Sequence, residues 1–237
     1  GIAATSSMQL WLAGTSPLVN REGRKYSMGM PAGTGLEFWR GVIGAGGFTA
    51  IPRWTHDPVP GIAEHQATIP YDVVERLGHL ADELAVPFSA MLLAAHAKVL
   101  AALSGEREVT TGYLVMAGGQ PLPCRLTTES DSWRTVVLDT YRVESEVLLH
   151  KDFPIDELRR DLALTAPSFE TVFDPTGSDA DLAEDSVLLL GILHDGDQVV
   201  LRLRYRTDVV DADCAARIVG YHLAELALIA ADPDADH

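Results

Sequence analysis

Eight histidines and two cysteines are the side chains of this 237-residue chain best suited to proton transfer, nucleophilic attack or metal ligation. A histidine acting as a base must reach its proton and be oriented by a second group, so the surroundings of each decide its use. His96 stands inside an apolar run, which favours a neutral core histidine over a catalyst. His150, just before Lys151-Asp152, falls at a helix end, where an imidazole complements the dipole and caps carbonyls. His222 lies near the apolar stripe of the closing helix, while His56, His65 and His79 read as surface or loop residues. His194-Asp-Gly196 reads as a hairpin turn. Cys124 and Cys214 lack CxxC spacing and read as reduced, partly buried thiols. Asp179, Asp181, Glu184 and Asp185 lack the spacing of a calcium loop. The sequence holds no GxSxG, Walker-type, Rossmann or HExxH pattern. The residues therefore predict no catalytic, cofactor-binding or metal-ligating side chain, and no cofactor.

The composition narrows the partners. A net charge of −16 and a pI near 4.7 argue against nucleic acid and anionic membrane, because both repel an acidic surface. Eighteen scattered basic residues cannot form a phosphate-tracking stripe. No apolar run reaches the roughly 20 residues of a membrane helix, and the start lacks the basic-then-apolar plan of a signal peptide. A soluble, cytoplasmic protein is expected. At 47% hydrophobic content the chain can bury a sizeable core.

The elements that must position any site follow from periodicity. From Met91 to Leu103 only His96 and Lys98 are not apolar, which predicts a helix buried on nearly every side, with Ser89 as N-cap and Gly105 as the stop. The run Val109 to Val115 reads as a strand covered on both faces. Before these, residues 1–35 read as an arm, with Leu10, Trp11, Met28 and Met30 as packing anchors, and Leu36 to Ile43 as a short helix. A proline-rich loop spans Ile51 to Pro60, and Glu64 to Ile69 reads as a strand. Pro70 to Ala85 is amphipathic, with Val73, Val74, Leu77, Leu80, Ala81 and Leu84 on one face.

After the central pair, Cys124 to Thr128 is a short strand. Ser132 to Leu149 is a helix facing inward through Trp133, Val136, Val137, Tyr141, Val147 and Leu148, and Ile155 to Leu164 a further short helix. Ser168 to Phe173 is a strand, and Asp174 to Asp185 reads as a mobile, solvated acidic loop. Strands Ser186 to Leu193 and Gln198 to Thr207 form a hairpin whose Asp195-Gly196 suits a type I′ turn. In the second strand Val199, Leu201, Leu203 and Tyr205 alternate with Arg202, Arg204 and Arg206, placing the arginines outward. Asp211 to Ala231 closes the chain as a helix with Ile218, Tyr221, His222, Leu226 and Ile229 inward. A buried helix feeding a buried strand predicts a layered α/β domain.

This order of elements carries particular words. Leu36-Glu-Phe-Trp39 is followed by Gly41 and Gly44, and Asp57-Pro58 by the Ser89 to Gly105 helix and Val109 to Gly112. His150-Lys-Asp-Phe-Pro154, Pro167-Ser-Phe169, Tyr205-Arg-Thr-Asp208 and Val210-Asp211 come next, and Tyr221 to Pro233 closes the chain. In sequence and spacing, residues 36–233 resemble the C-terminal half of a nonribosomal peptide synthetase condensation domain. The resemblance implies one chloramphenicol-acetyltransferase-like lobe, a mixed sheet packed against helices, with 1–35 an arm or linker and 234–237 a tail. The family joins two carrier-bound acyl groups through an amide, using an HHxxxDG signature in the first lobe. Here that signature is absent, and Met116 reaches Leu122-Pro-Cys-Arg125 in a few residues where the family crosses to the first lobe. The resemblance thus implies a truncated, inactive platform for an adenylation or carrier domain, with self-association as a further option. Its alternative is half of an amide-forming enzyme, completed by a separate HHxxxDG-bearing lobe.

Overall fold

The run around His96 forms the centre of the molecule, as its composition demands. A computed structural model describes residues 32–236, so the anchors expected in the arm lie outside the described residues. In chain order the elements are α1 (Ala32–Gly44), β1 (Ile62–Thr68), α2 (Tyr71–Leu84), α3 (Phe88–Ser104), β2 (Glu108–Tyr113), β3 (Leu122–Thr127), α4 (Trp133–Leu149), α5 (Ile155–Asp161), β4 (Thr171–Asp174), β5 (Leu188–Asp195), β6 (Gln198–Arg206) and α6 (Ala212–Ala231). Every residue of α3 from Ala90 to Ala97 is buried. The helix stops at Gly105, whose φ of 75° lets its amide return to the Ala101 carbonyl at 2.9 Å. Ser89 is not its cap. Pro87, already extended, starts the helix two residues earlier, and the Ser89 hydroxyl is drawn off to a carboxylate on α4.

The sheet runs β1-β6-β5-β4-β2-β3. Pairs β2–β4 and β4–β5 are parallel, while β1–β6, β5–β6 and β2–β3 are antiparallel, so the sheet is mixed. Helices α2, α3, α4 and α6 share one continuous core with one face of it. The segment after β2 turns at Met116 to Gly119 and returns as β3 within the same sheet. At Gly112 any side chain would collide with the Phe169 ring, 2.5 Å from where a Cβ would stand. By length and composition α6 could cross a membrane. One face of it, with Ala215, Ile218, Val219, His222, Leu226 and Ile229, is buried in the core. Tyr221, expected inward, is exposed, because the stripe's spacing selects its neighbour His222.

The other face of the sheet is closed by a strap. Leu182 packs there against Leu114, Val172 and Leu189. The three arginines of β6 hold the strap mainly by its backbone. Arg202 donates to the Ser178 carbonyl and to Asp179; Arg204 donates to the Ala180 carbonyl and to Asp179 and Asp181; Arg206 donates to the carbonyls of Ser186 and Glu184. The acidic loop is therefore not a solvated tether, and Arg202 is not outward but buried. The alternation of β6 was read correctly; what lay beyond its polar face was not in the strand. The hairpin also differs from expectation. Asp195 pairs with Gln198, so the two-residue turn is Gly196-Asp197, with positive φ at Gly196 alone, as in type II′ rather than I′.

Candidate functional site

Two buried polar clusters stand out under the helical layer. In the first, α3 and α6 bring together His96 and His222, which the sequence separates by 126 positions. Nδ1 of His222 lies 2.8 Å from the Ile218 carbonyl oxygen. A carbonyl can only accept, so that nitrogen carries the proton and Nε2 is left as an acceptor. Nδ1 of His96, 3.0 Å away, must then donate to it. Nε2 of His96 lies 3.2 Å from the Thr111 hydroxyl, which itself donates to the Thr171 carbonyl at 3.1 Å and accepts from the Thr171 hydroxyl at 3.1 Å. Burial lowers His96 well below the ordinary histidine value, and the charge of His222 lowers it further. Burial lowers His222 to about 4. With 2% exposure each and every ring nitrogen engaged, neither histidine can reach a substrate's proton.

The second cluster was missed from the sequence. Glu144 of α4 is 1% exposed. Its Oε1 accepts from the Tyr113 hydroxyl at 2.6 Å and from the Ser89 hydroxyl at 3.1 Å, whereas Oε2 has no partner. Burial pushes this carboxyl above its usual range, against the two hydroxyl bonds. The same burial, with the Glu144 charge added, raises the Cys124 thiol, so Cys124 is no thiolate nucleophile. The signal for Glu144 was spacing. Trp133, Val137, Thr140, Glu144 and Val147 step by four, three, four and three along α4, the period of one inward face. Selecting apolar residues alone put Leu148 on that face, and Leu148 is exposed.

The remaining expected residues stay apart. The His150 ring does not cap carbonyls; it stacks on Phe38 and lies 3.4 Å from the Glu146 carboxylate, while its own carbonyl accepts from the Trp39 indole at 3.0 Å. His56 and His79 are exposed, and His194 lies in the exposed hairpin end. Among the described residues no three metal-ligating side chains converge. Glu170, also missed, is buried at the start of β4. It accepts from both terminal nitrogens of Arg53, at 2.7 and 2.8 Å, and from the Ile51 amide at 2.8 Å, fastening the loop before β1 to the sheet.

Six mixed strands under a helical layer, with a β2–β3 hairpin returning into the same sheet, give the fold of a condensation domain of the kind found in nonribosomal peptide synthetases. The X-domain from teicoplanin biosynthesis superposes with a TM-score of 0.73 at 17% identity, over 89% of this chain and 57% of that one. The condensation domain of the monacolin K polyketide synthase MokA gives 0.70 at 16% identity, over 86% and 58%. AB3403, a four-domain nonribosomal peptide synthetase solved with AMP and glycine, gives 0.72 at 15% identity, over 97% and 22%. In sequence the chain is 27% identical to the antimetabolite synthetase AmbE of Pseudomonas aeruginosa, over 69% of this chain and 8% of that protein. It thus spans a small part of that synthetase and a little over half of the solved X- and condensation domains. No family model matches the chain.

Proposed function

We propose that this chain is a condensation-like domain of a peptide synthetase, without amide-forming activity of its own, that serves as a cytoplasmic structural or interaction platform for a neighbouring adenylation or carrier domain. The observation that carries the reading is the fate of the buried histidines. A condensing histidine must face a channel and take a proton, whereas His96 and His222 are spent on each other, on Thr111 and on the Ile218 carbonyl. The absence of HHxxxDG from the sequence agrees with this. The test is incubation of the chain with loaded donor and acceptor carrier proteins, followed by mass spectrometry for the dipeptide. No product above background is expected. Product that disappears when one histidine is changed would overturn the platform reading and favour an amide-forming half-domain. Product only after adding a separate HHxxxDG-bearing lobe would establish that alternative directly.

A further inference from the structure

At the N-terminal end of α6 the surface sinks into a depression of about 420 Å3, lined among others by His56, Asp57, Val59, Ala63, Tyr205 and Asp211. No lysine or arginine lines it. Among the described residues the Asp57 carboxylate has neither hydrogen bond nor ion pair. Asp211 uses Oδ1 to cap α6 through the Cys214 amide at 2.8 Å. Tyr205 is 3% exposed, yet its hydroxyl has no hydrogen-bond partner among the described residues. Burial pushes its phenol upward, with the charge of Asp211 adding to it, and both residues line the depression. Two carboxylates and an unpartnered phenol, with an apolar wall from Val59 and Ala63, reject an anion. They suit a cationic head on an aliphatic stem.

Ala63 belongs to both this lining and the edge strand β1. That edge is open. Its register with β6 runs without a bulge from Ile62–Arg206 to Thr68–Val200. Among the described residues no backbone group of 62–68 bonds to backbone outside that pair. The strand contains no lysine and no proline, the usual blunting devices. Glu64, its one acid, is already held by Arg204 of the same sheet. The opposite edge, β3, carries Pro123 and packs with α1. A chain of net charge −16 further favours a basic partner.

We propose that this corner docks an extended segment of a partner protein, whose backbone adds to β1 and whose lysine or arginine side chain enters the depression between Asp57 and Asp211. Strand addition supplies the main-chain hydrogen bonds, and the acidic depression supplies the selectivity. This deepens the platform reading and rests on it only for the identity of the partner as a neighbouring synthetase domain.

The probe is the acetylated and amidated pentapeptide Thr-Val-Lys-Val-Thr, titrated into the full chain and followed by amide chemical shifts. Shifts are expected along residues 61–68 and at the start of α6. Replacing the lysine by norleucine should weaken binding about tenfold, the value of one charge-assisted contact. Asp57→Asn with Asp211→Asn should do the same at an unchanged melting temperature, since asparagine caps a helix as well as aspartate. Equal binding of the norleucine peptide, shifts confined to other surfaces, or no binding would each overturn the proposal. So would butylammonium binding as tightly as the peptide, which would assign the depression to free amines. Dipeptide formation by the chain would remove the platform reading while leaving a positive peptide titration intact.

Discussion

Glu170, at the start of β4, meets the Arg53 guanidinium with both carboxylate oxygens and the Ile51 amide with one of them; Glu144, on the inner face of α4, meets only hydroxyls. Both are buried. A buried carboxylate needs a cation and nearly complete hydrogen bonding to remain charged, because its desolvation costs several kcal/mol. Glu170 has them, and its charge fixes a loop to the sheet. Glu144 lacks a cation and one hydrogen bond, so its carboxyl is shifted toward the neutral form. The same side chain is an ion-paired fastener in one place and a carboxyl with a raised pKa in the other. The difference lies wholly in what other segments bring to it.

Among the substitutions, removing the fastener should cost most. Glu170→Ala leaves the buried Ile51 amide without its acceptor and Arg53 with only the Ile51 carbonyl, for an expected loss of about 1–3 kcal/mol in urea unfolding. An unchanged midpoint would show that the loop before β1 is not held this way.

The His96–His222 pair extends the comparison to bases. Both imidazoles bind a proton less readily in the folded state than in the unfolded chain. The stability they lend is whole above the ordinary histidine value near 6.5 and drains as pH falls toward about 4 through His222. Urea unfolding between pH 7 and 4 should reveal a loss of about 3 kcal/mol from His222. A flat profile across that window would contradict the neutral pair.

Glu144 has the opposite slope. Its folded value is raised, so its contribution is whole below the unfolded value near 4.3 and is lost as pH rises through the folded one. Glu144→Gln, which has no proton to lose, should gain on the wild type as pH rises above the unfolded value near 4.3. A gap that narrowed with rising pH would contradict a raised Glu144 carboxyl. The smallest effect belongs to the exposed ion pair of Arg142 with Asp139 on the same helix, 2.9 Å apart. Arg142→Ala should change stability by less than about 0.5 kcal/mol, and a larger change would undo the contrast between buried and exposed pairs.

Much of the resemblance now has a physical basis, because the words meet in pairs. Trp39 of the first word bonds the carbonyl of His150 in a later one, and Phe38 stacks on its ring. Phe169 lies against Gly112, the end of the central strand's word. Tyr205 and Asp211 line the same depression at the start of α6. The candidate clusters were less legible. His96 was placed correctly in the core, but its partner was not foreseen, and Glu144 was overlooked because a charged residue was excluded from an apolar stripe on type alone.

What the sequence determined by itself was local. The composition of α3 required burial on all sides, Gly105 set its end, Asp211 and Ser132 capped α6 and α4, and the alternation of β6 set its two faces. These depend on neighbours within a few residues, where period and backbone preference suffice. Only the tertiary structure decided that Arg202, Arg204 and Arg206 grip a strap, that β6 sits between β1 and β5, and that Glu170 is charged where Glu144 is shifted toward neutrality. Charge compensation and strand order join residues 24 positions apart, as Arg202 and Ser178, or 117 apart, as Arg53 and Glu170. No period along the chain records which carboxylate will meet a guanidinium and which only a hydroxyl.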